Sequence, residues 1–76
     1  MRIAIWAETE SAAGPIAVTL GLDLREVVLV GNRSTGKLRG LSLDVLLVTR
    51  GADDRHMPDA AGTLYARDGM LVDLRR

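Results

Sequence analysis

The chain has 76 residues, ten basic and ten acidic groups with zero formal net charge, one His and no Cys. That length supports one small domain, which buries only about 60% of the surface its unfolded form exposes, so a thin core and help from an oligomer or partner are expected. The balanced charge excludes the basic bias of a general duplex-DNA or anionic-membrane binder, and the absence of Cys excludes disulfides, thiolate zinc sites and thiol chemistry.

In chain order, Ile3, Ile5 and Ala7 alternate against Arg2, Ala4 and Trp6, which predicts a short first strand with Trp6 turned toward a helix or a partner. Ala13, Ile16, Ala17 and Leu20 then fall at i, i+3, i+4 and i+7, one apolar helical stripe. The spacing predicts a helix over 11–21, with Ser11 as N-cap, Pro15 near the end of the first turn and Gly21 closing the C-terminus. Glu26 to Val30 (EVVLV) and Asp44 to Val48 (DVLLV) are apolar runs too continuous for a sheet face open to water. Such runs mark central strands of a parallel α/β sheet, and strand, helix and strand in that order make a βαβ unit.

Residues 31–43 (GNRSTGKLRGLSL) are long enough for a crossover, but Gly31, Gly36 and Gly40 oppose a well-formed helix, so a loop or brief turn is expected. Residues 50–60 (RGADDRHMPDA) read as a polar surface connection. Asp68-Gly69 between TLYA and MLVDL is a tight-turn signal, and predicts a C-terminal β-hairpin. The rival is a helix from about Pro58 to Arg67 followed by a single strand, ranked second because of Gly62 and the Leu64/Ala66 spacing. Arg75 and Arg76 read as a frayed polar end. The expected fold is therefore a single α/β domain over 1–76, with a βαβ start, a mainly parallel central sheet and a C-terminal hairpin.

Gly31-Asn32-Arg33-Ser34-Thr35-Gly36-Lys37 satisfies G-x-x-x-x-G-K directly after an apolar strand, where a phosphate-binding loop belongs. In such a loop the glycines let backbone N–H groups wrap the phosphates, the Lys reaches the outer phosphates, and a following hydroxyl holds Mg²⁺ ahead of a helix. Here Leu38 takes the hydroxyl's place, and Leu38 to Leu43 leave little room for the helix. LSLDVLLV resembles the strand that carries the Mg²⁺-coordinating acid in P-loop ATPases of the helicase and terminase kind, and so does its Arg-Gly-Leu approach. The acid of that family follows the apolar run, whereas Thr49 and Arg50 stand there and Asp44 opens the strand. ATP hydrolysis is disfavoured, and a degenerate nucleotide or phosphate binder using Gly31, Gly36 and Lys37 is the alternative reading.

His56 beside Asp53, Asp54 and Asp59 matches no metal-ligand spacing and reads as a solvated acidic loop. Ser11, Ser34, Ser42 and His56 lack the elbow and the orienting acid of a nucleophilic triad, so no catalytic residue is assigned. Arg33, Lys37, Arg39 and Arg50 form a candidate basic binding rim near the ends of the central strands. With only Trp6 and Tyr65 as aromatics, the stacking platform of a single-stranded nucleic-acid binder is missing, and nucleic acid is the least favoured partner. No metal or cofactor is expected.

MRIAIWAE, the stretch LGLDLREVVLVG and the run LRGLSLDVLLV together resemble small orphan proteins encoded by phages of GC-rich actinobacteria, over roughly the first fifty residues. Nine Arg to one Lys fits such codon usage. The resemblance implies a stripped-down P-loop or Rossmann-like half and a host-cell cytoplasmic setting, and it carries over no residue role. The early residues lack a long apolar segment or cleavage site, and no apolar run reaches the roughly 18 residues that span a bilayer, so a cytoplasmic protein without a membrane anchor is expected. The reading that results is a non-enzymatic protein-binding or self-associating module, a homo-oligomer paired through a sheet edge such as the first strand or the C-terminal hairpin.

Overall fold

The computed structural model describes residues 1–75. β1 (Ile3–Trp6) leads through α1 (Glu10–Thr19) into β2 (Val27–Val30), and a 3₁₀ turn at Thr35–Leu38 precedes β3 (Val45–Val48). A second 3₁₀ turn, Asp54–His56, runs into α2 (Met57–Gly62); a third, Tyr65–Arg67, precedes β4 (Met70–Asp73). The strands form one four-stranded sheet in the order β2-β1-β3-β4, with every pair parallel. Such an order reverses direction after the first βαβ unit, as doubly wound, Rossmann-like sheets do.

The register fixes two faces. Ile3, Ile5, Val45, Leu47, Met70 and Val72 share one face, since Ile3 aligns with Val45 and Val45 with Met70. α1 lies on this face over β1 and β2, where Ala13 and Ala17 pack with Ile5, Ala7, Val27 and Leu29. Ala4, Trp6, Val30, Leu46 and Val48 face the other way, under a layer made by Leu38, Leu43, Ala60 and Leu64 from the crossover and the α2 region. Trp6 is wholly buried there, so the first strand is central. This corrects the expectation that β1 offers a sheet edge: the chain crosses from β2 to β3 over it, and β2 and β4 are the edges.

α1 starts earlier than the apolar stripe indicates. Thr9 is the N-cap, its Oγ1 accepting from Ala12 N at 3.1 Å, and Ser11 is already inside the helix. Pro15 therefore sits in the second turn, where its ring removes the bond that the Ser11 carbonyl would accept; both residues are exposed, and water can take that role. The C-terminus closes as expected around Gly21, which has a φ of 75°: Gly21 N donates to Val18 O and Leu22 N to Ala17 O. Leu22 then packs against the cluster that holds Ala17.

The C-terminal hairpin is not present, because β4 runs parallel to β3. Between them lie α2 and the turn at Tyr65–Arg67, so the helix-then-strand rival gives the order of elements here, although the helix stops at Gly62 and does not run on to Arg67. Asp68-Gly69 has a different task from the one its sequence signals. Asp68 takes the left-handed conformation at φ 49°, ending the 3₁₀ turn, while Gly69 passes so close to β3 that a Cβ would lie 2.4 Å from Leu43 O and 2.7 Å from Leu64 Cδ2. The glycine answers a close approach of two backbones and not a tight reversal. Arg75 is not frayed: its Nε donates to Asp73 Oδ1 at 2.9 Å and it also pairs with Asp54, while Arg76 lies outside the described residues.

Candidate functional site

Open parallel sheets carry ligands at the carboxyl ends of their strands, at the point where the order reverses, which here lies between β1 and β3. That point is filled. Gly51, with φ 94°, lies against Glu8, and a Cβ on it would come within 2.6 Å of Glu8 Cβ. Asn32, the chain's single Asn, closes the same end: its Oδ1 accepts from Trp6 Nε1 at 3.0 Å and from Asp53 N at 2.8 Å, and its Nδ2 donates to Gly51 O at 2.8 Å. One amide thus ties the end of β1 to the loops after β2 and β3. Nothing in the sequence pattern marks it; the clue is that a buried Trp needs an acceptor for its N–H.

A cleft of about 460 Å³ opens beside this latch, between the start of α1 and the loop after β2, with Glu8, Thr9, Ser11, Arg33 and Ser34 among its walls. The loop holds the G-x-x-x-x-G-K sequence. Gly31 rests on the start of α1, where a Cβ would lie 2.8 Å from Glu10 N and from Thr9 Cα. Its N–H donates to Ser34 Oγ, Asn32 N to Glu8 O, Ser34 N to Gly31 O and Lys37 N to Ser34 O. Those amides are spent inside the fold and do not line a cradle. Gly36 has open space around it, and neither Gly31 nor Gly36 takes a positive φ. Lys37 turns back onto α1 and β2: its Nζ pairs with Glu10 and donates to Leu29 O at 3.3 Å. Hydrogen bonds from Lys37, then from Ser34, hold the Glu10 carboxyl below its usual range. The cleft is thus bordered by charges of both signs, with Glu8 and Arg33 beside a Glu10 that Lys37 engages.

The four residues of the basic rim are dispersed. Arg33 borders this cleft, Lys37 is engaged by Glu10, Arg39 borders a separate hollow with His56 and Asp59, and Arg50 is exposed after β3. Asp53 caps the Asp54–His56 turn by accepting from Arg55 Nε and Arg55 N, which lowers its pKa, while Asp54 pairs with Arg75. Among the described residues, no group of three or more His, Asp or Glu could hold a metal ion. No helix of the described residues is long and apolar enough to cross a membrane.

The other distinctive surface is apolar. α1 lies mainly over β1 and β2, with Leu47 of β3 packed at the margin of its cluster, so this face of the sheet is open toward β4. Met70 is 63% exposed, Leu74 49%, and Val45, Leu47 and Val72 are half-buried. β4 is also an open edge. Met70 N and Leu74 N donate to Asp44 O and Val48 O, so the alternate residues Leu71 and Asp73 turn their backbone groups away from β3. No protein-family model, curated protein or solved structure matches this chain.

Proposed function

We propose that this protein is a non-enzymatic binding module that docks a second protein surface through the β3–β4 half of its sheet. The observation that carries the reading is the partly open face along β4, where Met70 and Leu74 are exposed beside half-buried Val45 and Val72, on a sheet of a kind normally covered on both faces. A standard interface takes about 800 Å² from each partner, roughly a sixth of the 4903 Å² this chain exposes. Met70 and Leu74 along β4 give part of such a surface the apolar character it needs. The engagement of Lys37 by Glu10 and the internal use of the Gly31, Asn32, Ser34 and Lys37 amides favour this reading over nucleotide or phosphate binding. The resemblance to phage-encoded proteins extends the proposal to a host-cell cytoplasmic setting.

Met70→Glu tests it. The side chain is mostly exposed, so the fold tolerates the change, and a charge in the centre of the apolar patch opposes docking. Light scattering and capture on tagged protein are expected to show self-association or a stoichiometric protein partner for the wild type, lost in Met70→Glu. Identical behaviour of the two proteins in both measurements would overturn the reading.

A further inference from the structure

We infer that the partner is a second copy of this chain, stacked face to face about a two-fold axis parallel to the strands, so that each α1 lies between its own β1 and β2 and the β3 and β4 of the other copy. The inference rests on the proposed docking role and names its occupant. It starts from the composition of α1. From Ser11 to Leu22 the chain carries no charged residue, and the solvent side of the helix is Ser11, Ala12, Pro15, Val18 and Thr19, with Val18 61% exposed. A surface helix of a globular protein turns a charged face to water, whereas a helix without one is packed on more than one side. In a single copy only the side toward β1 and β2 is packed.

Two unfinished surfaces lie side by side. Glu10, Gly14 and Val18 form one i, i+4 row of the helix. Glu10 pairs with Lys37, which reaches Leu29 O, and a Cβ on Gly14 would lie 3.9 Å from Leu29 Cδ1, so this row is on the β2 side. Ala12, Ile16 and Leu20 form the row on the opposite flank, toward β3, where Ile16 and Leu47 both border the cluster under the helix. Beyond that flank the sheet continues as the open strip along β4. The face is thus a ridge about 10 Å wide beside a strip of two strands that is also about 10 Å wide. Two strands of four residues, about 13 Å long, are too small to supply a standard interface by themselves, so contact has to extend over the ridge. A two-fold along the strands does this by setting each ridge on the strip of the other copy. The two sheets then share one layer of two helices, which gives each sheet the cover that parallel strands normally have.

The contacts follow from the direction of the helix. α1 runs from the carboxyl ends of the strands, where Gly31 rests on Glu10 N, back toward their amino ends. An axis along the strands keeps like ends together, so Val18, late in the helix and on its β2 flank, comes over the start of the other copy's β4, at Met70. Both are large apolar side chains left mostly exposed in one copy, at 61% and 63%. The Ala12, Ile16 and Leu20 rows meet each other across the axis, which covers the half-exposed Leu20. The first turn stays beside the cleft, so the Ser11 carbonyl that Pro15 frees keeps its water. A two-fold across the strands would instead set α1 on α1 and leave both β4 strips open. The pairing is made by side chains and asks nothing of the main chain of β4. Any other partner would have to bring an uncharged helix to the strip, and this chain already carries one.

The chain has no Cys, which makes single cysteine variants clean probes. Under mild oxidation a mixture of Val18→Cys and Met70→Cys is expected to form the mixed covalent dimer at least tenfold faster than either variant alone forms its own. The control Tyr65→Cys, exposed on the other face beside Leu64 and Leu71, should crosslink at the slower rate. Light scattering on the unmodified chain should give twice the monomer mass at high micromolar concentration, and on Val18→Glu, altered at an exposed site, the monomer mass. A monomeric unmodified chain with the mixture at control rate overturns self-pairing. If that chain still binds another protein in a Met70→Glu-sensitive way, the docking role survives its loss; if it binds nothing, both fall. Rapid self-crosslinking of Val18→Cys with the mixture at control rate would place helix on helix and overturn the arrangement of ridge on strip.

Discussion

The two halves of the sheet are built from similar strands and finished differently. On the β2–β1 half, α1 lays Ala13 and Ala17 on the sheet, Lys37 occupies the outward carbonyl of the edge, and Asn32 binds the loops at the carboxyl end. On the β3–β4 half, the same face is only partly covered, with Val45 and Val72 half-buried, and the edge residues Met70 and Leu74 are exposed. Lys37, Asn32 and Ser34 of the candidate phosphate loop are thus engaged in completing one half. The other half keeps apolar side chains exposed along β4, which is what the proposed docking role rests on.

Each half hangs on one crowded glycine, and these give the largest expected effects. In Gly69→Ala the new Cβ meets Leu43 O at 2.4 Å, a backbone atom that cannot step aside, and β4 must move off β3. We expect a loss of about 3 kcal/mol and a fall in melting temperature above about 10 °C, with self-association lost as well. Gly31→Ala forces the loop after β2 off the start of α1, with contacts of 2.8 Å, and should cost a similar amount while leaving β4 and its association intact in the folded fraction. Calorimetry paired with light scattering separates the two. Equal loss of association in both variants would mean that the halves are not independent.

Asn32→Ala comes next. It leaves the indole N–H of Trp6 and the amide of Asp53 without their acceptor, at a cost of about 2–3 kcal/mol. Trp6 is the only tryptophan, so its emission is expected to shift to the red and report the loosened carboxyl end directly. Asn32→Asp keeps an acceptor for both donors but sets a carboxylate against Gly51 O, and should lose about half as much. An unchanged emission in Asn32→Ala would show that the three loops are held by other contacts.

The same contrast explains what is legible in the sequence. Strands β1, β2 and β3 and the Gly21 closure of α1 are local patterns, and the apolar runs state their burial and therefore the parallel sheet. The hairpin expectation at Asp68-Gly69 fails because that dipeptide meets two needs, a left-handed helix end and a close approach to Leu43, neither of which differs from a turn in sequence. Ser11 loses the cap to Thr9 because both are hydroxyl residues and only the path of the chain out of β1 selects between them. The G-x-x-x-x-G-K match is visible, but the destination of Lys37, on Glu10 and Leu29 O, depends on α1 and β2 being neighbours. Asn32 reads only as part of that motif, since its three partners lie 19 to 26 residues away.

Acid distinguishes the halves more gently. Asp44, at the start of β3, accepts from Arg2 N at 2.7 Å and faces Arg67; the backbone hydrogen bond, then the guanidinium charge, hold its carboxyl below the usual range. A depressed folded pKa contributes stability that is present above the ordinary carboxylate value of about 4 and is lost as pH falls through the folded one. The Asp44→Asn variant should therefore lose less stability than the wild type between about pH 4 and pH 2, as followed by chemical denaturation. Parallel pH profiles would remove Asp44 from the fastening of this half.

The smallest effects concern the motif itself. Gly36 has nothing within 4 Å of the place a Cβ would take and an ordinary φ, so Gly36→Ala is expected to change stability by less than about 0.5 kcal/mol. A loop that wraps phosphate would not be indifferent, because backbone approach to the anion is what its glycines permit. Millimolar ATP or GTP with Mg²⁺ should accordingly leave the melting temperature of the wild type where it is, and Lys37→Ala should behave alike. A ligand that binds only the folded state raises that temperature by mass action, so even affinity near 0.1 mM would register as about 1.4 kcal/mol at ten times that concentration. A shift in the wild type that disappears in Lys37→Ala would mean that Lys37 leaves Glu10 for phosphate. The covered half of the sheet would then carry a site of its own, and the contrast between the halves would be one of two functions instead of one.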